Sequence, residues 1–351
     1  MAYTTIDKPD DYFNTLLYTG DGSASARAFT GVGFQPDLVW LKARNQAYEH
    51  NWYDSVRGAN KVIGSSFTDA ESSSGDLDSF DSDGFTITNS ATYLNNANNV
   101  THASWNWLAG GTASSNTDGS ITSSVSANTT AGFSVGTFTG NGTAGATIGH
   151  GLGATPAWII CRTISAAKDW NIYHHKNTSA PETDYLVLNT TAATTDASDK
   201  WNDTAPTSSV FTIGESSQLN TSGGTSLFYA FAEKKGYSKF GSYTGNGSAN
   251  GTFVYTGFKP AFVMIKQTNA SGEGWHILDN KRSGANGDME RLLANSSNAE
   301  SNYSGNLDLL SNGFKTRIND AGVNSSGSTY IFMAFAENPF VTSTGIPTTA
   351  R

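Results

Sequence analysis

Pro36-Asp-Leu-Val-Trp-Leu-Lys42 is the stretch from which the fold can be read. Proline fixes its own φ and pushes the preceding residue towards extended geometry, so a chain leaving Pro36 enters a strand. Leu38, Val39, Trp40 and Leu41 are then apolar on both alternations. A strand wet on one face would alternate with polar residues, so this one is expected to be covered on both sides. The phrase returns as Pro156-Ala-Trp-Ile-Ile-Cys-Arg162 and Pro260-Ala-Phe-Val-Met-Ile-Lys266.

Upstream of each copy stands an aromatic-Thr-Gly-Asx-Gly segment: Tyr18-Thr-Gly-Asp-Gly22, Phe138-Thr-Gly-Asn-Gly142 and Tyr243-Thr-Gly-Asn-Gly247. The spacing to the proline is 18, 18 and 17 residues (Tyr18 to Pro36, Phe138 to Pro156, Tyr243 to Pro260). Motif pairs kept in step like this mark an internal repeat. Downstream, second strands are expected at His50-Asn-Trp-Tyr-Asp54, Trp170-Asn-Ile-Tyr-His174 and Trp275-His-Ile-Leu-Asp279. Asp83-Gly84 and Asn312-Gly313 read as two-residue hairpin turns, and the middle copy keeps only the strand Val210-Phe-Thr-Ile213. Each unit closes on an aromatic strand, in Ala103–Leu108, Leu227–Ala232 and Tyr330–Ala336.

The expected fold is therefore all-β: three tandem antiparallel β-sandwich repeats, jelly-roll or lectin-like, each of roughly 105 residues. The units span 1–110, 132–235 and 236–340, with a Gly/Ser/Thr linker at 111–131 and a C-terminal tail at 341–351. The linker almost lacks large apolar side chains, so the first unit is expected to pivot on it. Glu233-Lys-Lys-Gly-Tyr237 is short, so the second and third units should move together and extend the chain as a rod. Met289–Ala294 could form one or two helical turns. The predicted core includes Val39, Leu41, Phe85, Ile159, Phe231, Val263, Ile265 and Phe335.

Composition narrows the function. Only 15% of the 351 residues are charged, 12% are aromatic, and the net charge is −9. An acidic chain with scattered Lys and Arg is a poor partner for nucleic acid. No apolar run approaches the roughly 18 residues of a membrane span, so no membrane insertion is expected. The opening lacks a basic region followed by an apolar stretch, and no secretory signal is expected. Sequons such as Asn128-Thr-Thr and Asn189-Thr-Thr then read as Asn/Thr-rich turns. Cys161 has no partner for a disulfide and reads as a small buried hydrophobe.

No catalytic constellation emerges, and no cofactor is implied. Asp76-Leu-Asp-Ser-Phe-Asp-Ser-Asp-Gly84 invites a calcium loop, but the matching Asn306–Gly313 loses most of the oxygens. His174 and His175 point to opposite faces of a strand, which disfavours a shared metal. Gly149-His-Gly-Leu-Gly153 precedes no helix and carries no lysine to cradle phosphate. Asp54 with Arg57, and Asp279 with Arg282, keep one offset in two copies and read as structural ion pairs tying strand to loop. Trp201, set among Asp199, Lys200, Asn202 and Asp203, is the candidate ligand-binding residue: an exposed indole on which a sugar face could stack.

Several phrases together carry a resemblance. They are Met1-Ala-Tyr-Thr-Thr-Ile-Asp7, Gly33–Lys42 with Asp54-Ser-Val-Arg-Gly58, the linker Gly110–Ser120, and Phe332-Met-Ala-Phe-Ala-Glu-Asn-Pro-Phe340 with its tail to Arg351. With these the chain resembles tandem-repeat structural or tail-fibre-like virion proteins of tailed, mainly marine, bacteriophages. The resemblance implies a place on the exterior of a phage particle, other virion proteins as partners, and a homo-oligomer, a trimer by analogy. It supplies no catalytic residues. A tail-fibre or receptor-binding role, with a host cell-surface glycan as ligand, is the leading expectation. Capsid decoration or a tail structural role without a ligand is the alternative. A glycan-degrading tailspike comes last, because no carboxylate pair recurs.

Overall fold

A computed structural model describes residues 3–88, 92–282, 286, 288–303 and 305–348. Met1, Ala2 and the last three residues of the tail, 349–351, lie outside them. The first third holds β1 (Phe13–Thr19), β2 (Arg27–Thr30), β3 (Leu38–Ala43), β4 (Asn51–Asp54), β5 (Leu77–Asp81), β6 (Gly84–Ile87) and β7 (Thr101–Trp107). They form two sheets, ordered β1-β7-β3-β4 and β2-β6-β5.

In the second third come β8 (Ser114–Asn116), β9 (Ser123–Asn128), β10 (Phe133–Thr139), β11 (Ala146–Gly149), β12 (Trp158–Thr163) and β13 (Asn171–His174). After these follow β14 (Asp184–Val187), β15 (Thr195–Asp196), β16 (Val210–Ile213) and β17 (Thr225–Phe231), ordered β15-β14-β13-β12-β17-β10-β9-β8 and β11-β16. The last third holds β18 (Ser238–Thr244), β19 (Phe253–Tyr255), β20 (Phe258–Gln267), β21 (His276–Asp279) and β22 (Glu290–Leu293). It ends with β23 (Ser301–Asn302), β24 (Leu307–Leu310), β25 (Gly313–Thr316) and β26 (Thr329–Pro339), ordered β18-β26-β20-β21-β22-β23 and β19-β25-β24. One strand order, β1-β7-β3-β4, thus recurs as β10-β17-β12-β13 and β18-β26-β20-β21.

The proline-led runs explain the layering. On one alternation, Val39 and Leu41, Ile159 and Cys161, and Val263 and Ile265 pack under the small sheet of their own third. On the other, Leu38 and Trp40, Ile160 and Trp158, and Phe262 and Met264 meet in one central core shared by all three thirds. The ring of Trp52 lies 5.1 Å from Trp170, that of Trp158 5.9 Å from Trp275, and that of Phe335 5.1 Å from Phe13. All eight predicted core residues are buried. The chain is all-β, built of sandwiches whose larger sheets face one another.

This arrangement corrects the rod. A row of units would leave the central alternation wet, and it includes Trp40, Trp158 and Phe262, aromatics that each bury on the order of 150–250 Å². The thirds close on one another instead. Small-angle scattering should therefore give a radius of gyration of about 20 Å, the value for one compact body of this length. A markedly larger value would restore the extended chain.

The linker is corrected as well. β8 and β9 lie within 111–131 and extend the second sheet beyond β10, while Ile121 forms a parallel bridge to Ile148. Strand ladders bond through the backbone, so a Ser-rich segment needs no large apolar side chains to pair with an open edge. The first third therefore has no free hinge there. Residues 290–293, within the stretch offered as helical, form β22, paired with β21. The two hairpins form where expected, but their turn residues are Ser82-Asp83 and Ser311-Asn312. Gly84 and Gly313 begin the next strand, where a Cβ would sit 2.0 Å from the carbonyl oxygens of Phe29 and Val254.

The aromatic-Thr-Gly-Asx-Gly segment is a clasped turn. A Cβ on Gly20, Gly140 or Gly245 would lie 2.1, 2.5 or 2.3 Å from a facing carbonyl oxygen. Gly22, Gly142 and Gly247 have φ of 71°, 70° and 64°, the region that glycine adopts without penalty. An asparagine holds each turn: the Oδ1 of Asn96, Asn220 and Asn324 accepts the backbone N–H of Asp21, Asn141 and Asn246. The motif is a structural device, repeated because the turn is.

Candidate functional site: interlocked ion pairs and a cleft on the first third

The two Asp-x-x-Arg pairs lie at the seams between thirds. Arg57 Nε donates to Asp54 Oδ2 at 2.5 Å, and the backbone N–H of Arg57 donates to Oδ1 at 2.9 Å. Arg282 repeats both bonds with Asp279 at 2.5 and 2.8 Å. Glu71 and Glu300 complete the pairs at 3.3 and 2.7 Å. Each aspartate then takes a donor from another third, Asp54 from Tyr229 Oη at 2.9 Å and Asp279 from Trp105 Nε1 at 3.0 Å. Burial opposes the charge of Arg57, but Asp54, Tyr229 and Glu71 outweigh it and raise its pKa. In the middle third His174 takes the aspartate's place, and Met333 stands in register where Trp105 and Tyr229 stand.

A second ring of contacts was not anticipated. Lys42, Arg162 and Lys266, which end the three proline-led runs, are fully buried. Lys42 Nζ donates to Ser297 O at 3.0 Å, and Arg162 Nη2 to Thr68 O at 2.6 Å and Asp69 O at 2.8 Å. Lys266 Nζ reaches Thr191 O at 3.4 Å and Glu273 O at 2.8 Å. The first third thus grips the last, the second grips the first, and the last grips the second. Beside them His50 Nε2, Trp170 Nε1 and Trp275 Nε1 meet Leu293 O, Gly64 O and Val187 O in the same cyclic order. Burial lowers the pKa of Lys42 and Lys266 to about 8 and that of Arg162 to about 10. A basic residue closing an apolar run in every copy was the available signal.

Trp201 is the other correction. It ends a short helix, α1 (Ser198–Trp201), and is 2% exposed, with Tyr173 and Phe211 at ring distances of 6.0 and 6.5 Å. Its polar neighbours occupy the surface while the turn swings the indole inward, so it presents no face to a sugar. Carboxylates of the acidic stretch 76–84 are taken up by bonds within its hairpin and to neighbouring loops. Asp81 accepts from Ser79 and Thr86, and Asp83 accepts the N–H groups of Gly31 and Gly33. Among the described residues, no group of three or more His, Cys, Asp or Glu is placed to hold a metal ion. No helix among them is long and apolar enough to cross a membrane.

A surface cleft of about 570 Å³ opens on the first third. Tyr48, Phe67 and Tyr93 supply aromatic walls, Glu49 and Asp69 carboxylates, and Asn51 the floor. Asn51 is 2% exposed and comes from β4, where its Nδ2 donates to Asn95 Oδ1 at 3.0 Å. Asn95 in turn donates to Tyr53 Oη at 3.0 Å, so the floor is rigid. The Oδ1 of Asn51 is buried with no hydrogen-bond partner among the described residues. At the rim Leu94 has φ of 58°, a left-handed conformation costly for a side chain with a Cβ, and His102 Nε2 lies 3.1 Å from its carbonyl.

The sequence profile of one family, described as "Domain of unknown function (DUF7483)", matches residues 8–339. The chain belongs to this family. No curated protein and no solved structure matches it. The DUF7483 match runs through all three thirds and both connections between them. That agrees with a fold in which no third buries its central face alone.

Proposed function

We propose that the chain is a non-enzymatic virion protein on the exterior of a phage particle, and that it attaches the particle to its host by binding cell-surface carbohydrate. The observation that carries this reading is the cleft: aromatic walls, acceptor side chains and a rigid floor, within the size range of small-molecule sites. Apolar sugar faces pack on aromatic rings, and hydroxyls satisfy carboxylate and amide oxygens. The phage-like phrases supply the setting, and many copies on one particle would multiply a weak single-site affinity.

A second reading, capsid decoration or a tail building block without ligand, is favoured by the closed arrangement. One chain already sets three similar sandwiches about a common core, so it needs no trimer to complete that core. A host-cell pull-down and a glycan array with the purified chain separate the two. Retention on cells that Tyr48→Ala abolishes is the expected result. A blank array with no cell binding would leave the decoration role.

A further inference from the structure

The cleft is lined by acceptors and aromatic rings, and no Lys or Arg lines it among the described residues. Glu49 and Asp69 are exposed, and the Asn51 oxygen lacks a donor. Two buried cations interact with these carboxylates without entering the cleft. The Lys42 ammonium feels Glu49, and the Arg162 guanidinium feels Asp69, but both are buried behind the wall and bound to carbonyl oxygens. Such a site offers hydrogen-bond acceptors and negative charge, with ring faces that attract cations. A uronic or sialic acid would meet two carboxylates and no counter-charge. The net charge of −9 extends the same preference to longer range.

We infer that the cleft binds an amino sugar through its protonated amine, with Glu49 and Asp69 as counter-charges and Tyr48 and Tyr93 packing on the ring above the polar floor of Asn51. This rests on the carbohydrate reading above and narrows it to one charge class. Glu49 also accepts a bond from Ser66 Oγ, which fixes one carboxylate oxygen and leaves the other for a ligand.

The discriminating pair of ligands is a glucosamine tetramer and its fully N-acetylated counterpart, which differ in charge at the same length. Isothermal titration of the full chain should show the glucosamine tetramer binding about tenfold more tightly, the worth of one charge-assisted hydrogen bond. Glu49→Gln and Asp69→Asn should each weaken it by a similar factor, leave the acetylated tetramer unaffected and keep the thermal midpoint. Equal binding of the two tetramers, tighter binding of choline chloride than of glucosamine, or indifference to both substitutions would overturn the inference while leaving the cleft a sugar site. Failure of every glycan, with cell binding lost as well, would remove both.

Discussion

Asp279→Ala is expected to destabilise the chain by about 3–5 kcal/mol, because it takes the nearer of two carboxylates from a buried guanidinium. Arg282 has no exposed side-chain surface, and Asp279 supplies two of its bonds and the acceptor for Trp105 from the first third. The Arg317–Asp308 pair is the control. Its members are 44% and 19% exposed, so Asp308→Ala should cost less than about 1 kcal/mol. Replacing both partners, as Asp279→Leu with Arg282→Met, should recover much of the loss, since a buried pair and a packed apolar pair are often equivalent. Urea unfolding of the four proteins measures this. One transition should shift as a whole, because the central core joins all three thirds. A cost near that of the control, or a transition that splits, would show that Asp279 does not tie the thirds together.

The sequence made the strands legible because strand signals are local. Leu38 to Leu41, apolar on both alternations, announced two covered faces, and Pro36 announced the start. What covers the second face was not legible, since nothing near Trp40 or Phe262 in the chain says that the cover is another third. The rod followed from that gap. Asp54 with Arg57 was readable as a pair from spacing, whereas its donor Tyr229 lies 175 positions away. Trp201 was misread because polar neighbours in sequence were taken for polar surroundings in space. The cleft left no motif at all: Tyr48, Phe67 and Tyr93 come from three loops, and only folding brings them to one wall.

Acidification from pH 7 to pH 5 should destabilise the protein steeply. All six histidines have a pKa lowered by burial, that of His102 to about 4. Hydrogen bonds give three of them a second reason to stay neutral. The Nδ1 of His50, His150 and His174 accepts an N–H, from Trp40, Leu152 and Lys176, so a proton there would displace a donor. A lowered histidine pKa means that the unfolded chain binds more protons as the pH falls below its ordinary value of about 6.5. The stability is thus fully present above that pH and lost below it, until each folded-state pKa is reached. Every histidine still neutral in the fold contributes about 1.4 kcal/mol per pH unit, so six set a ceiling of roughly 8. The lowered carboxylate pKa values of Asp7, Asp21 and Glu273 act only nearer pH 4, and the raised pKa of buried Asp37 opposes the trend, so the loss between 6.5 and 5 comes from imidazole. Urea titrations across that window should give a slope of several protons, and His102→Gln, which removes the imidazole held at about 4, should reduce it by about one. A flat profile between pH 7 and 5 would mean that the imidazoles are already charged in the fold, and the buried neutral assignments at the seams, His50 against Leu293 above all, would be wrong.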